Sequence, residues 1–500
     1  MGKFLSDREV AKLKYADEAA FRGPIPTQCV SNGEFNPQPQ GEDQKKVEAR
    51  TKELADELGA RHGMKRREFL QSTCGMAAAF LAMNEVYGNV FDVDPAEAVE
   101  PEVTLARAES LAGQFIFDVQ THFVRDDFEQ EGLLGLGNFA ADHWNPALDK
   151  ETLTLATYKF ENYLKEIFTE SDTDICIISN APFDNPEWEF LTSENMVKAR
   201  DLVNTVAGGQ RMLAHNVVSP GKPGWMDKVD ESIEVHKPDS WKMYTIGDPF
   251  GGSQYVWRLD DEKLLYPFYE KAVKAGITNI CIHKGLLPAD YEESFAGHWQ
   301  YSTVWDLGKA AKDWPEINFI IYHSAAQQFL EVPDNQLAHF ESTGELNWTS
   351  DLARIPEEYG VNNVYGELGT VFANSCVTHP RLAAGLVGTL IKGLGADHVV
   401  WGTDSPFYGS PQWQIEALRR LKMPEEYKKK YGFAGLGSPN GAIKNGIFGF
   451  NSAAVYNLDV RASMGRLSGD KFAAIKKEVD MAGGFRTNRS NAAYGYVNTA

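Results

Sequence analysis

Three histidines and one aspartate stand at or just after the ends of short apolar runs in this 500-residue sequence: His122, His283, His323 and Asp404. Neutral imidazole and carboxylate are ligands that divalent zinc and manganese prefer, and both groups can also move protons. A single histidine in such a place is more often a packed or solvated side chain. Four together are harder to explain by packing, because each would need buried hydrogen-bond partners.

These groups could converge if the runs form neighbouring strands. Eight runs rich in β-branched residues alternate with stretches of mostly helical pattern: Phe115–Phe123, Asp174–Ser179, Met212–Ser219, Trp241–Thr245, Asn279–His283, Asn318–His323, Asn363–Glu367 and His398–Gly402. This alternation predicts an α/β fold, a closed (β/α)₈ TIM barrel whose strands end at one catalytic face. An open doubly wound sheet is the alternative, but its glycine-rich phosphate turn is replaced here by Gln120-Thr121-His122.

Other residues close to the same face are candidates for binding substrate or supporting a ligand. In the fourth run, alternation would turn Lys242 and Tyr244 inward, and an inward lysine could anchor a substrate carboxylate. A lysine that extends to the rim of the barrel is the alternative. The remaining candidates are Arg125 and His298 on loops, for substrate, and Glu367 at the end of the seventh run, for support of an imidazole.

The order of these residues resembles the amidohydrolase superfamily, especially the amidohydrolase-related branch that includes aminocarboxymuconate-semialdehyde decarboxylase and aromatic-acid decarboxylases. The resemblance spans roughly residues 115–457 and includes Gly402-Thr403-Asp404-Ser405-Pro406 and the closing segment Ile447–Ala453. It implies that His122, His283 and Asp404 touch a metal ion or its water. It also implies that His323 is a further ligand or an acid–base group, and that Asp404 is the general base.

The first strand departs from the family pattern. Where the family usually has His-x-His, or Glu-x-His in some decarboxylases, this chain has Gln120-Thr121-His122. A neutral amide oxygen is a weak ligand, so Gln120 either lowers the metal affinity or turns toward the substrate. No carbamylated bridging lysine is evident. We therefore expect one divalent ion, zinc first, with manganese or iron(II) as alternatives.

The resemblance implies an enzyme and leaves its reaction open. As a metal-dependent hydrolase, the chain would activate water toward Asp404 for attack on an amide, lactone or ester of a small organic acid. The alternative is a lyase that decarboxylates an aromatic or unsaturated acid without oxidation. A second alternative is a metal-poor barrel that serves as a binding or assembly subunit.

The composition limits the partners. Lysine and arginine number 49 against 70 aspartates and glutamates, a formal net charge of −21, which argues against nucleic-acid binding. No apolar run is long enough to span a membrane. Five cysteines without a CxxC pair argue against a disulfide scaffold or a thiolate zinc site. The expected partner is a small molecule bearing a carboxylate, and a homo-oligomer is compatible with the sequence.

The first hundred residues contain a pattern similar to a twin-arginine export signal. Arg66 and Arg67 precede a small apolar stretch, Cys74–Met83, and the Ala-x-Ala motif at Pro95–Ala98, which predicts a periplasmic protein. The pattern begins at Met64, so either Met64 is the true start or an extension precedes it. The alternative is a helix packed on the body of a cytoplasmic protein, with both arginines solvated. The predicted division is a leader over 1–98 (signal 64–98), a barrel over 115–457 and a tail over 458–500.

Overall fold

The computed structural model describes residues 24, 25, 27, 41–70, 72–130, 154–288, 290–327, 333–407, 409–481, 493, 494, 497 and 498. Eight parallel strands pair in chain order. They are β1 Phe117–Thr121, β2 Ile175–Ile178, β3 Met212–Val217, β4 Ser240–Tyr244, β5 Asn279–His283, β6 Asn318–Tyr322, β7 Val364–Glu367 and β8 Val399–Val400. Each overlaps one predicted run. The strands are almost wholly buried, as expected for a parallel sheet covered by helices.

The sheet closes on itself beyond β8. The backbone N–H of Asp404 donates to the carbonyl of Gln120 at 2.9 Å, and that of His122 donates to the carbonyl of Ser405 at 2.8 Å. These bonds join the segment after β8 to β1, so the predicted (β/α)₈ barrel is confirmed. The carboxyl ends of the strands consequently lie at one face.

Helices surround the barrel and extend it at both ends. Before β1 lie α1 Glu42–Arg61, α2 Arg66–Leu70, α3 Thr73–Tyr87, α4 Pro95–Val99 and α5 Pro101–Leu111. Between β1 and β8 lie α6 Phe160–Phe168, α7 Ser193–Ala207, α8 Trp225–Glu231, α9 Tyr266–Ala275, α10 Tyr291–Ser294, α11 Leu307–Asp313, α12 Pro333–Thr343, α13 Thr349–Tyr359, α14 Val371–Thr378 and α15 Pro380–Leu394. After β8 lie α16 Gln412–Arg420, α17 Glu425–Tyr431, α18 Ala442–Asn445, α19 Asn451–Val455, α20 Val460–Leu467 and α21 Lys471–Met481.

The N-terminal helices α1–α5 are folded against the barrel. The backbone N–H of Asp92 donates to the carbonyl of Arg420 at 2.6 Å, and that of Lys422 donates to the carbonyl of Val90 at 2.8 Å. Arg66 lies at the surface, where its Nε donates to Asp56 at 2.7 Å. In the structure this segment is therefore a helix packed on the body of the protein with Arg66 at the surface, which was the alternative to an export signal. Export itself stays a prediction.

The chain after the barrel also packs on it. Arg211 on β3's N-terminal side and Asp470 form a buried ion pair at 2.6 Å, and the ring of Phe472 lies 4.9 Å from that of Phe168. Residues predicted to form a tail thus include two helices, α20 and α21, that belong to the packed body. A short antiparallel pair, Ala493–Tyr494 with Val497–Asn498, follows.

Two further properties hold for the residues that the structure describes. None of their helices combines the length and apolar character needed to cross a membrane. The four described cysteines, at positions 74, 176, 281 and 376, are all buried free thiols.

Candidate active site

The carboxylate of Asp404 is the meeting point of three segments at the carboxyl face. Its Oδ1 lies 2.7 Å from His122 Nε2 and accepts a hydrogen bond from Gln120 Nε2 at 3.1 Å, both residues being on or just after β1. Its Oδ2 accepts one from the hydroxyl of Thr370, in the loop after β7. Asp404 is 2% exposed, so these donors replace the water that a carboxylate would otherwise bind.

Two of the histidines have their rings fixed in the same way. The Nδ1 atom of His122 lies 2.9 Å from the carbonyl of Ser179, and Nδ1 of His323 lies 3.0 Å from the carbonyl of Gly369. A carbonyl can only accept, so each Nδ1 carries a proton. Burial lowers the pKa of His323 to about 4, which leaves its Nε2 as a bare lone pair near pH 7. This Nε2 is buried and has no hydrogen-bond partner among the described residues.

His283 lies beside His323. Their ring centroids are 4.6 Å apart, and the His283 ring also stacks on the ring of Tyr244, with centroids 4.2 Å apart and an angle of 14° between the planes. Burial, reinforced by His323 and Lys242, lowers the pKa of His283 well below its usual value. The site thus contains a second neutral imidazole, and Tyr244 is packed on it.

Glu367 supports His323 through the backbone. Its two carboxyl oxygens accept the backbone N–H of His323 at 2.9 Å and that of Gly369 at 2.5 Å. The carbonyl of Gly369 also accepts the Nδ1–H of His323. The carboxyl group of Glu367 therefore fixes both the backbone of His323 and the residue that orients its ring. Burial raises the pKa of Glu367 to about 8. A Cβ added to Gly402 would stand 1.7 Å from Glu367 Oε1, so only glycine fits there.

The backbone is strained at the same place. His323, Ser324, Ala325, Thr370 and Asp404 have φ values of 60°, 48°, 51°, 61° and 63°. A positive φ is uncommon outside glycine, and such residues tend to cluster at functional sites. Here the strain falls on the residues that bear the site's polar side chains and on their chain neighbours.

A buried cation lies deeper in the barrel. Lys242 is fully buried and faces inward as predicted, with Nζ 3.5 Å from the ring centroid of Tyr322 and 5.3 Å from that of Tyr244. The hydroxyl of Tyr322 donates to the carbonyl of Val119 at 2.6 Å and lies 3.2 Å from His215 Nε2. Tyr322 thereby presents a fixed ring face to the ammonium group.

His215, Tyr322 and Thr370 were missed by the sequence reasoning. His215 and Tyr322 are polar-tipped residues within predicted apolar runs, which is a usable signal. Thr370 follows the seventh run by three residues and carries no pattern of its own.

The two remaining candidates, Arg125 and His298, make their hydrogen bonds with loop residues outside the group around Asp404 and His323. Arg125 donates to the carbonyl of Glu189 at 3.2 Å and to Asp127 at 2.7 Å, on loops near β1 and β2. His298 is half-buried in the loop after β5, where its backbone carbonyl accepts from the N–H of Tyr301. Their assignment to substrate stays a prediction.

An aromatic row runs from His122 to the surface. The ring of Phe407 lies 5.2 Å from His122, Phe190 lies 6.3 Å from Phe407, and Phe183 lies 5.7 Å from Phe190. Phe250, which is 54% exposed, follows at 5.7 Å from Phe183. A row of aromatic rings therefore connects His122 with an exposed phenylalanine.

The predicted ligands do not form a ready-made metal cluster. Within the part of the chain that the structure describes, no group of three or more His, Cys, Asp and Glu side chains has the spacing of a metal site. The four predicted ligands instead make two contacts, His122 with Asp404 and His283 with His323. Gln120 points its amide nitrogen, not its oxygen, at Asp404.

The donor chemistry nevertheless fits a divalent ion. Nδ1–H bonds to backbone carbonyls orient His122 and His323 in the way usual for metal-binding histidines. The partnerless Nε2 of His323 is the free donor that such an ion needs. His122 and Asp404, which contact each other in this structure, would be among the residues that hold the ion.

A comparison with protein-family models finds a match in the second half of the barrel. The family model described as amidohydrolase matches residues 247–458, a range that includes His283, His323 and Asp404. This part of the chain is similar to amidohydrolases. The match agrees with the prediction that the chain is an enzyme. No curated protein matches the sequence.

Solved structures share the barrel at low identity. An uncharacterised TIM-barrel protein from Bordetella bronchiseptica is 10% identical with a TM-score of 0.43, over 70% of this chain and 99% of that one. A manganese-bound 5-carboxyvanillate decarboxylase mutant from Novosphingobium aromaticivorans is 11% identical with a TM-score of 0.37, over 69% and 98%. A 4-oxalomesaconate hydratase from Rhodopseudomonas palustris is 16% identical with a TM-score of 0.37, over 74% and 100%. Similarity at these identities and TM-scores does not assign the activity of any of these proteins to this chain.

Proposed function

We propose that this chain is a metal-dependent hydrolase that cleaves an amide, lactone or ester of a small organic acid. One observation carries the proposal: the buried carboxylate of Asp404 and the partnerless Nε2 of His323 occur together at the carboxyl face of the barrel. Both groups are proton acceptors near pH 7. One of them can take a proton from the attacking water and then deliver that proton to the leaving group, as hydrolysis requires.

The residues that would hold the ion are His122, His283, His323 and Asp404, with Gln120 as the weakest candidate. Zinc is the first choice, and manganese or iron(II) would suit the same donors. When bound, such an ion supplies Lewis-acid polarisation of a substrate carbonyl and of water.

The chain's own residues supply the remaining steps. Asp404 takes the proton of the attacking water, and Thr370 keeps its second oxygen in place. Glu367 holds the strained turn at His323, so that this imidazole stays aimed at the reacting bond. Lys242 provides the positive charge that binds the substrate's carboxylate.

The test is hydrolysis of a panel of esters, lactones and amides of small carboxylic acids by the metal-loaded protein. Asp404→Asn should lower kcat by about 100-fold or more, because it removes the proton acceptor. Hydrolysis that is unaffected by this substitution, or no hydrolysis of any panel member, would refute the proposal.

The aromatic row from His122 to Phe250 favours a second candidate, decarboxylation of an aromatic or unsaturated acid. Flat rings pack well between aromatic side chains. Release of CO₂ from hydroxybenzoates or muconate-type acids would support this reaction, whereas the hydrolase is expected to release none. A protein that binds such acids without turning them over would instead be the metal-poor binding subunit.

A further inference from the structure

We propose that residues 41–70 and 72–111, named here the clasp, are not a cleavable leader but a permanent part of the folded protein, bound by α16 and the residues just after it. The clasp contains the pattern that resembles a twin-arginine signal. The proposal is independent of the reaction catalysed.

The apolar stretch of that pattern is a core helix. In α3, Ala77, Ala78, Phe80 and Ala82 are at most 1% exposed. A Cβ on Gly75 would stand 2.4 Å from the carbonyl oxygen of Phe69, so α3 is packed closely against the end of α2. Presentation of this stretch to an export apparatus would require the core around it to open.

The region before Met64 belongs to the same core. Helix α1 buries Val47, Leu54, Ala55 and Leu58, and it packs against α3. A chain that began at Met64 would expose the face of α3 that α1 covers. Since exposed apolar surface is costly, the fold favours a protein that retains α1.

The Ala-x-Ala motif is folded and buried. It lies in α4, Pro95–Val99, whose first turn is capped by Asp94. Ala98 is fully buried and Glu97 is 5% exposed. Proteolytic cleavage favours exposed, mobile chain, so cleavage after Ala98 would need this helix to undock and unwind.

A buried ion pair ties the motif to the barrel. Glu97 Oε2 lies 2.5 Å from Nη2 of Arg420, which is 2% exposed, and Nη1 of Arg420 donates to the carbonyl of Asp92 at 3.2 Å. Cleavage after Ala98 and loss of the residues before it would remove both of these contacts. Arg420 would be left with the longer ion pair to Glu416, 3.5 Å away on its own helix. Export of the folded protein would therefore carry the clasp with it.

The test uses the full chain with a protease site inserted between Ala112 and Gly113, which are both exposed. After cleavage, we expect the fragment 1–112 to co-elute with the barrel in gel filtration. Arg420→Met should weaken that association at least tenfold. Arg61→Met is the matched control, because Arg61 is exposed and, among the residues that the structure describes, pairs only with the exposed Glu57 on its own helix. It should leave the association unchanged.

Glu97→Gln provides a second route if Arg420→Met does not fold. It keeps the shape of the side chain and removes its charge, and it should also weaken retention of the fragment. The intact mass of the full-length protein, purified from the compartment where it accumulates, completes the test. A folded protein that begins at Val99 with an unchanged unfolding midpoint would overturn the proposal, as would a fragment that separates from the unsubstituted barrel.

Discussion

At the scale of single residues, the site depends on positions where no ordinary side chain or backbone conformation would fit. Gly402 leaves room for Glu367, which in turn holds His323 at a positive φ. Asp404 and Thr370 are strained in the same way and hydrogen-bond to each other. The surrounding fold must supply the free energy that keeps these conformations.

Gly402→Ala tests this dependence. The new methyl group would collide with Glu367 and should lower the free energy of unfolding by about 1–3 kcal/mol, the usual effect of overpacking. Denaturant unfolding measures the change. Gly465→Ala is the control, because a Cβ there meets nothing within 4 Å and the helical position favours alanine. Equal effects of the two substitutions would contradict the account.

Two buried lysines should respond differently to loss of charge. Lys284 forms a fully buried ion pair with Asp306 at 2.8 Å. Lys284→Met would leave the carboxylate of Asp306 buried without its partner and should lower the free energy of unfolding by about 3–5 kcal/mol.

Lys242→Met should instead raise KM for a carboxylate substrate with little change in kcat. Thermal unfolding and steady-state kinetics separate the two. A KM unaffected by Lys242→Met would remove this lysine from substrate binding.

Residue types and strand ends were enough to single out His122, His283, His323 and Asp404. They were not enough to show that His122 contacts Asp404 directly, because that depends on side-chain rotamers. Period-two alternation does explain why Lys284 points away from the site that His283 faces. Thr370 could not be found, since its role depends on a loop conformation that no local pattern specifies.

At the scale of elements, all eight strands were predictable because buried parallel strands leave apolar, β-branched runs in the sequence. The N-terminal segment shows the limit of such patterns. A short apolar stretch after paired arginines has the same local appearance in an export signal and in a core helix. Only the contacts of α3 with α1 and of Glu97 with Arg420 distinguish the two.

The junction of α16, α21 and the start of β2 should show a pH-dependent stability. Burial opposes ionisation of Asp172, but the charges of Arg419 and Lys476 outweigh it and bring the pKa of Asp172 down to about 2 from 3.8. A lowered pKa gives stability that is present above pH 3.8 and is lost as the pH falls toward 2.

Asp172→Asn should therefore destabilise the protein at pH 7 by about 1 kcal/mol, since the side chain is 36% exposed and partly screened. The difference from the unsubstituted protein should shrink as the pH falls toward 2 and disappear below it. In a protein that also carries Arg419→Met, the substitution Asp172→Asn should lower the free energy of unfolding by a smaller amount. Urea unfolding at several pH values measures both effects, and a difference that grows on acidification would contradict the assignment.

At the scale of the whole molecule, the formal charge of −21 belongs to the surface and predicts solubility rather than a partner. Turbidity measured against pH should peak near the sequence pI of about 5.0 and be low at pH 7 to 8. Aggregation that is greatest at neutral pH would indicate that an apolar surface, not charge, controls association.

We expect the carboxyl face of the barrel to hold one divalent ion through imidazole and carboxylate. Elemental analysis of the purified protein tests it most directly, alongside His323→Ala and Asp404→Asn. We predict about one equivalent of zinc, manganese or iron per chain, and a clear loss in both variants while the fold is retained. A protein without bound metal after reconstitution, or variants with undiminished content, would contradict the account.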